Sequence, residues 1–91
     1  MLSLVWLEEA LDDLEVIIDF IEVQNPAAAQ RTGQAIRDTA AQFPQHPYMH
    51  RTGRVPGTRE ALVTPNYLIV YRVGIDSIEI LAIRHTRQQY P

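Results

Sequence analysis

Residues 57–91 read GTREALVTPNYLIVYRVGIDSIEILAIRHTRQQYP, and the order of apolar and polar positions in this stretch decides the fold. The run 67–73, YLIVYRV, is rich in β-branched and aromatic residues, the composition of a strand. Alternation puts Leu68, Val70 and Arg72 on one face and Tyr67, Ile69, Tyr71 and Val73 on the other. Both faces are largely apolar, which predicts a central strand with helices over one side. The run 59–64 precedes it through Pro65-Asn66, and 78–84 follows it after Gly74-Ile75-Asp76-Ser77. Connections this short make both pairs antiparallel hairpins. The stretch ends in a polar cluster, Arg84, His85, Arg87 and Tyr90, with Arg84 and His85 on opposite faces of the last strand.

Upstream, the period changes. Residues 2–6, LSLVW, read as a first short strand. From Leu7 the apolar positions Leu7, Leu11, Leu14, Ile18 and Ile21 recur at helical spacing, and Val16, Phe20 and Val23 widen the stripe. Asn25-Pro26 reads as an N-cap with proline at the first helical position, opening a second helix to about residue 43 that Pro44 ends. This helix has few large apolar residues, so Ile36 and Phe43 anchor it while Ala27, Ala28, Ala29, Gly33, Ala35, Ala40 and Ala41 allow close approach. The short link predicts an antiparallel helical hairpin. Residues 44–58, with three prolines and two glycines, read as an irregular loop long enough to be functional or mobile. The order β-α-α-β-β-β gives an α+β fold in one domain over residues 1–91, an antiparallel twisted sheet packed against a helical hairpin.

Composition narrows the function classes. An apolar fraction of 46% with 21% charged residues suits a globular chain rather than a disordered one. No segment is apolar for long enough to span a bilayer, and the acidic start lacks the basic region of a secretory signal. The absence of cysteine excludes disulfide and thiolate chemistry and fits a reducing cytoplasm. The net charge of −3 is unevenly spread. Residues 1–24 hold Glu8, Glu9, Asp12, Asp13, Glu15, Asp19 and Glu22 with no basic residue, whereas 46–91 hold Arg51, Arg54, Arg59, Arg72, Arg84 and Arg87. Every basic residue is arginine, a bias that a GC-rich coding sequence explains without any mechanism.

There is no phosphate-binding glycine loop, zinc signature or nucleophile elbow, so no cofactor is expected. His46 and His50 have metal spacing only on a helix, which Pro47 argues against, and no metal site is assigned. No contiguous basic run suits sequence-specific binding of duplex DNA by the chain alone. Two groups of candidates remain: the C-terminal cluster, and Arg59-Glu60 with Arg72, where a cross-strand ion pair of Arg72 with Glu60 or Glu79 is the structural alternative.

The series Gly-Thr-Arg-Glu at 57–60, Tyr-Leu-Ile-Val-Tyr-Arg-Val at 67–73 and Ile-Glu-Ile-Leu-Ala-Ile-Arg-His-Thr-Arg-Gln-Gln-Tyr-Pro at 78–91 resembles the ParE/RelE superfamily of bacterial toxins. Trp6, Asp12-Asp13-Leu14 and Asn25-Pro26 extend the resemblance over nearly the whole chain. It implies the fold above and a cognate antitoxin whose disordered C-terminal segment folds on the toxin. RelE-like members cut mRNA on the ribosome, and ParE-like members poison DNA gyrase. Aligned with the RelE-type strands, Leu68 and Ala61 stand where that branch has a catalytic arginine and a lysine, leaving Arg59 of its basic set. Each lost transition-state contact costs on the order of a hundredfold in rate. The His-Pro-Tyr loop at 46–48 and the Arg84-His85-x-Arg87 ending look closer to ParE. This branch implies a non-catalytic inhibitor contacting gyrase through Arg84, His85, Arg87 and Tyr90. The RelE alternative implies an endoribonuclease with Glu60 as base, Arg59 and Arg72 for charge and His85 as acid, with the ribosome and mRNA as partners. A degenerate toxin that acts only through its antitoxin complex is the third reading.

Overall fold

A computed structural model describes residues 2–88. The elements run β1 (Ser3–Trp6), α1 (Glu8–Glu22), α2 (Pro26–Ala41), β2 (Arg51–Thr52), β3 (Arg59–Leu62), β4 (Tyr67–Val73) and β5 (Ser77–His85). Tyr90 lies outside the described residues. All strands join one sheet in the order β1-β5-β4-β3-β2. The meander from β2 to β5 is antiparallel, while β1 pairs parallel to β5, Ser3 opposite Ser77 and Trp6 opposite Ile80. The sheet is therefore mixed, with β1 at one edge and the two-residue β2 at the other. The helical hairpin carries the chain from the first edge to the second.

Local chemistry sets the helix boundaries. Asn25 Oδ1 accepts the Ala28 N–H at 3.0 Å, with Pro26 at the start of α2 where a missing N–H costs nothing. Glu8 and Glu9 sit in the first turn of α1, where the helix dipole favours carboxylates. The helices pack closely because their contact positions are small. Ala10, Ala29 and Ala40 are buried, and a Cβ on Gly33 would lie 2.9 Å from Ile18 Cδ1.

The main core lies between this hairpin and the sheet, formed by Leu14, Ile36, Phe43, Ile69, Tyr71, Ile78, Ile80 and Ile83 among others. Each large apolar side chain buried there contributes on the order of 1.5–3 kcal/mol. Phe43 stacks on Tyr71 at 4.0 Å between centroids, and the Tyr71 hydroxyl donates to the Pro47 carbonyl at 2.9 Å. Leu68, Val70 and Ala82 form a second cluster on the opposite face, as alternation requires.

Two features depart from simple patterning. Val70 opposes Ala82 while Tyr71 opposes Ile80, so Leu81 is an extra residue in β5. This bulge lets Ile80 and Ile83, three apart, share the helix-facing core. On α1 the inward residues are Ala10, Leu14, Ile17 and Ile18, whereas Val16, Phe20 and Val23 face outward. No helix among the described residues is long and apolar enough to cross a membrane.

Candidate functional site

β5 outruns its neighbour. The Leu7 N–H donates to the Ile80 carbonyl at 3.0 Å, and the chain then turns away into α1. Among the described residues, 81–85 of β5 thus have β4 on one side and no strand on the other. The Asp13 carboxylate occupies that side, accepting the Ile83 N–H at 3.0 Å and an Arg84 Nη1–H at 2.7 Å. Arg84 also lies 3.4 Å from Glu9 Oε1. In-register alternation directs Arg84 to the face of its partner Leu68, but its long side chain reaches around the open edge to α1. The Arg84–Asp13 pair is half-buried, about a quarter exposed at each partner, and gains more than a fully solvated bridge would.

His85 lies on the other face. Its ring meets Tyr67 edge-on at 5.4 Å, and its Nδ1 accepts the Arg87 N–H at 3.1 Å, which places the neutral ring's proton on Nε2. Gln88 Oε1 accepts the His85 N–H at 2.7 Å, and Thr86 is held by the Asn66 and Pro65 carbonyls. The first tail residues are thus ordered by short bonds while the Arg87 side chain is exposed. Between this strand end and α1 lies an open groove of about 420 Å³, lined by Asp13, Val16, Ile17, Phe20, Tyr67, Ile83, Arg84, His85 and Gln88.

The second group of candidates is built differently. Arg59 donates to the His50 carbonyl at 2.7 Å and sits 4.9 Å over the Tyr48 ring, holding the 44–58 loop. Glu60 is buried, accepting from Arg51 Nη2 at 2.9 Å and from the Arg54 N–H at 3.4 Å. Arg72 pairs with Glu79, the cross-strand partner opposite it. Arg59 is opposite Tyr71 and His85 opposite Tyr67, so these two are offset by four residues along β4, roughly 13 Å at strand rise. Arg59, Glu60, Arg72 and His85 do not converge, and each is engaged in a structural bond.

His50 packs edge-on to Phe43 at 5.5 Å, with its Nε2 buried and without a hydrogen-bond partner among the described residues. Burial lowers its pKa below the ordinary histidine value. Burial also raises the Tyr71 hydroxyl pKa, opposed in part by Arg59 and the His50 backbone. His46 is exposed in the same loop, and no three metal-ligating side chains converge among the described residues.

Sequence reasoning singled out the C-terminal residues as candidates but did not anticipate Asp13, Glu9 and Gln88 as partners of Arg84 and His85. The available signal was charge: an α1 without a basic residue must meet its counter-charges elsewhere, and Arg84 is one of them.

The family profile described as ParE toxin of type II toxin-antitoxin system, parDE, matches residues 4–90. The protein Y4kP of Sinorhizobium fredii is 36% identical over 87 residues, covering 94% of this chain and 90% of its own length. Toxin RelE2 of Caulobacter vibrioides is 35% identical over 85 residues, covering 93% and 96%. Among solved structures, the chromosomal ParDE system from P. aeruginosa superposes with a TM-score of 0.83 at 29% identity, over 93% of this chain and 96% of that one.

Proposed function

The chain belongs to the ParE toxins of type II toxin–antitoxin systems, and from that premise we propose that it arrests growth by binding DNA gyrase through the end of β5 and the tail beyond it. One observation carries this reading: His85 and Arg84 are fixed by packing and hydrogen bonds at the rim of an apolar groove, with Arg87 exposed beside them. Preorganised arginine and aromatic side chains at a partly apolar rim suit a protein contact, where little conformational freedom remains to be lost on binding. Tyr90, outside the described residues, is assigned to the same contact from the sequence alone. The role is inhibition by binding, with the antitoxin keeping the toxin inactive until it is degraded.

Expression of the chain without an antitoxin, in bacteria reporting the DNA-damage response, tests the proposal. Growth arrest with induction of that response is expected. At equal folded protein, Arg87→Ala and His85→Ala should each weaken arrest by about tenfold, the scale of one interface contact. Arrest without DNA damage, or full toxicity of both variants, would contradict the gyrase reading. Arrest of any kind excludes the degenerate-toxin reading.

The name RelE2 of one relative keeps a second reading, ribosome-dependent mRNA cleavage. On it, Glu60→Gln and His85→Ala abolish mRNA cleavage while ribosome binding persists. The bonds that occupy Glu60 and Arg59 weigh against this chemistry, because a general base must be free to reach the proton it removes.

A further inference from the structure

Glu60 is a buried carboxylate on the face of the sheet away from the helices. Ala61, its neighbour on β3, joins the helix-facing core, whereas Glu60 stands opposite Val70 of the second cluster. A carboxylate at that depth needs partners, because a buried charge left unpaired is strongly destabilising. Its Oε1 accepts from Arg51 Nε at 3.1 Å and Nη2 at 2.9 Å, and its Oε2 accepts the Arg54 main-chain N–H at 3.4 Å. The acid therefore pins the chain just after β2, and with it the root of the Arg54 side chain.

That side chain reaches the tail. Arg54 Nη1 donates to the Gln88 carbonyl at 3.4 Å, 34 residues further along the chain. With β4 standing between β3 and β5, the contact joins the β3 side of the sheet to the end of β5. Gln88 in turn closes on the strand: its N–H donates to the His85 carbonyl at 2.9 Å, and its Oε1 accepts the His85 N–H at 2.7 Å. His85 Nδ1 then accepts the Arg87 N–H at 3.1 Å. A continuous series of bonds runs from Glu60 through Arg54 and Gln88 to His85 and Arg87. Arg54 and Gln88 are both exposed, so neither contributes by filling the core.

We propose that Arg54 is a positioning residue for the inhibitory contact: it holds the turn at 86–88 so that His85 and Arg87 keep the arrangement that meets gyrase. Arg54 itself touches no target. Without the bridge the turn samples other arrangements, and the apparent affinity falls with the fraction of molecules that hold the competent one. This rests on the gyrase reading and adds to it the residue that sets the tail and the acid that sets that residue. It also gives Glu60 a role without acid–base chemistry, through its grip on the loop.

The test takes the full, antitoxin-free chain through two measurements: half-inhibition of gyrase supercoiling, and amide hydrogen exchange without gyrase. Arg54→Met should raise the half-inhibitory concentration about fivefold, the scale of one hydrogen bond. It should also speed exchange at His85, Arg87 and Gln88 while β4 keeps its parental protection. Arg54→Lys, which retains the charge and a donor, should recover most of both effects. Arg31→Met, the same loss of charge at an exposed position of α2, should match the parent. Gln88→Ala removes the next bond and should weaken inhibition too, but the double variant should lose no more than the larger single loss, because the two residues act in series. Unchanged exchange in Arg54→Met overturns this proposal, including the case where potency falls because Arg54 touches gyrase directly. Losses that multiply in the double variant overturn it as well, and both outcomes leave the gyrase reading standing. A parent chain that leaves supercoiling complete overturns the gyrase reading and this role with it.

Discussion

His50 is the residue whose protonation the fold resists most visibly. Its ring is wedged against Phe43 and Tyr71, and its buried Nε2 finds no acceptor for a second proton. Because burial lowers the folded-state pKa, the unfolded chain binds the proton more readily. Stability from this group is therefore complete above the ordinary histidine pKa of about 6.5 and declines as pH falls through that value toward the lowered one. Urea midpoints measured from pH 7.5 to 5 should fall with acidification, and His50→Phe should flatten that slope; an unchanged slope would remove His50 as its source. At this scale the sequence was legible where the partner is local and illegible where it is distant. Arg84 was singled out by its position at a strand end. Its partner Asp13 lies 71 residues away and became visible only with the packing of α1 on the sheet.

Elements defined by their own residues were readable, and those defined by a neighbour were not. YLIVYRV gave β4 its observed bounds, and Asn25-Pro26 opened α2, because strand propensity and capping act within a few residues. The two residues of β2 carry no periodicity and are a strand only because Arg51 and Thr52 register against Glu60 and Arg59. The Leu81 bulge likewise depends on how β5 meets β4. The outward set Val16, Phe20 and Val23 read as a widening of the apolar stripe because helical spacing gives a stripe's width but not what covers it. The loop before β3 makes a testable demand. The Gly53 N–H donates to the Thr58 carbonyl at 2.7 Å, and a Cβ there would fall 2.2 Å from Thr58 Oγ1 and 3.2 Å from the Thr58 carbonyl carbon. Gly53→Ala should therefore destabilise the protein by about 1–3 kcal/mol, an overpacking cost, lowering the melting temperature by roughly 5–20 °C. Calorimetry showing no change would mean that the loop opens freely.

On the scale of the molecule, the helical hairpin that spans the sheet also sets its limits. By leaving β5 after Trp6, the chain exposes the end of that strand, and α1 then supplies the acids that cap it and hold Arg84. One consequence is a groove lined by Arg84 and His85, the two residues that the proposed inhibitory contact uses. Another is that the residues which the RNA-cleavage reading would assign are spread along the sheet and tied into loop and strand contacts. The fold was legible from the order of hydrophobic periods, and family membership from the motifs on β4 and β5. The target was not, since one fold hosts toxins of different chemistry and only the site discriminates. The most direct measurement adds purified, antitoxin-free protein to DNA gyrase and relaxed plasmid. Loss of supercoiling, or gyrase trapped on cleaved DNA, is the predicted result; complete supercoiling in the presence of excess folded protein would contradict it.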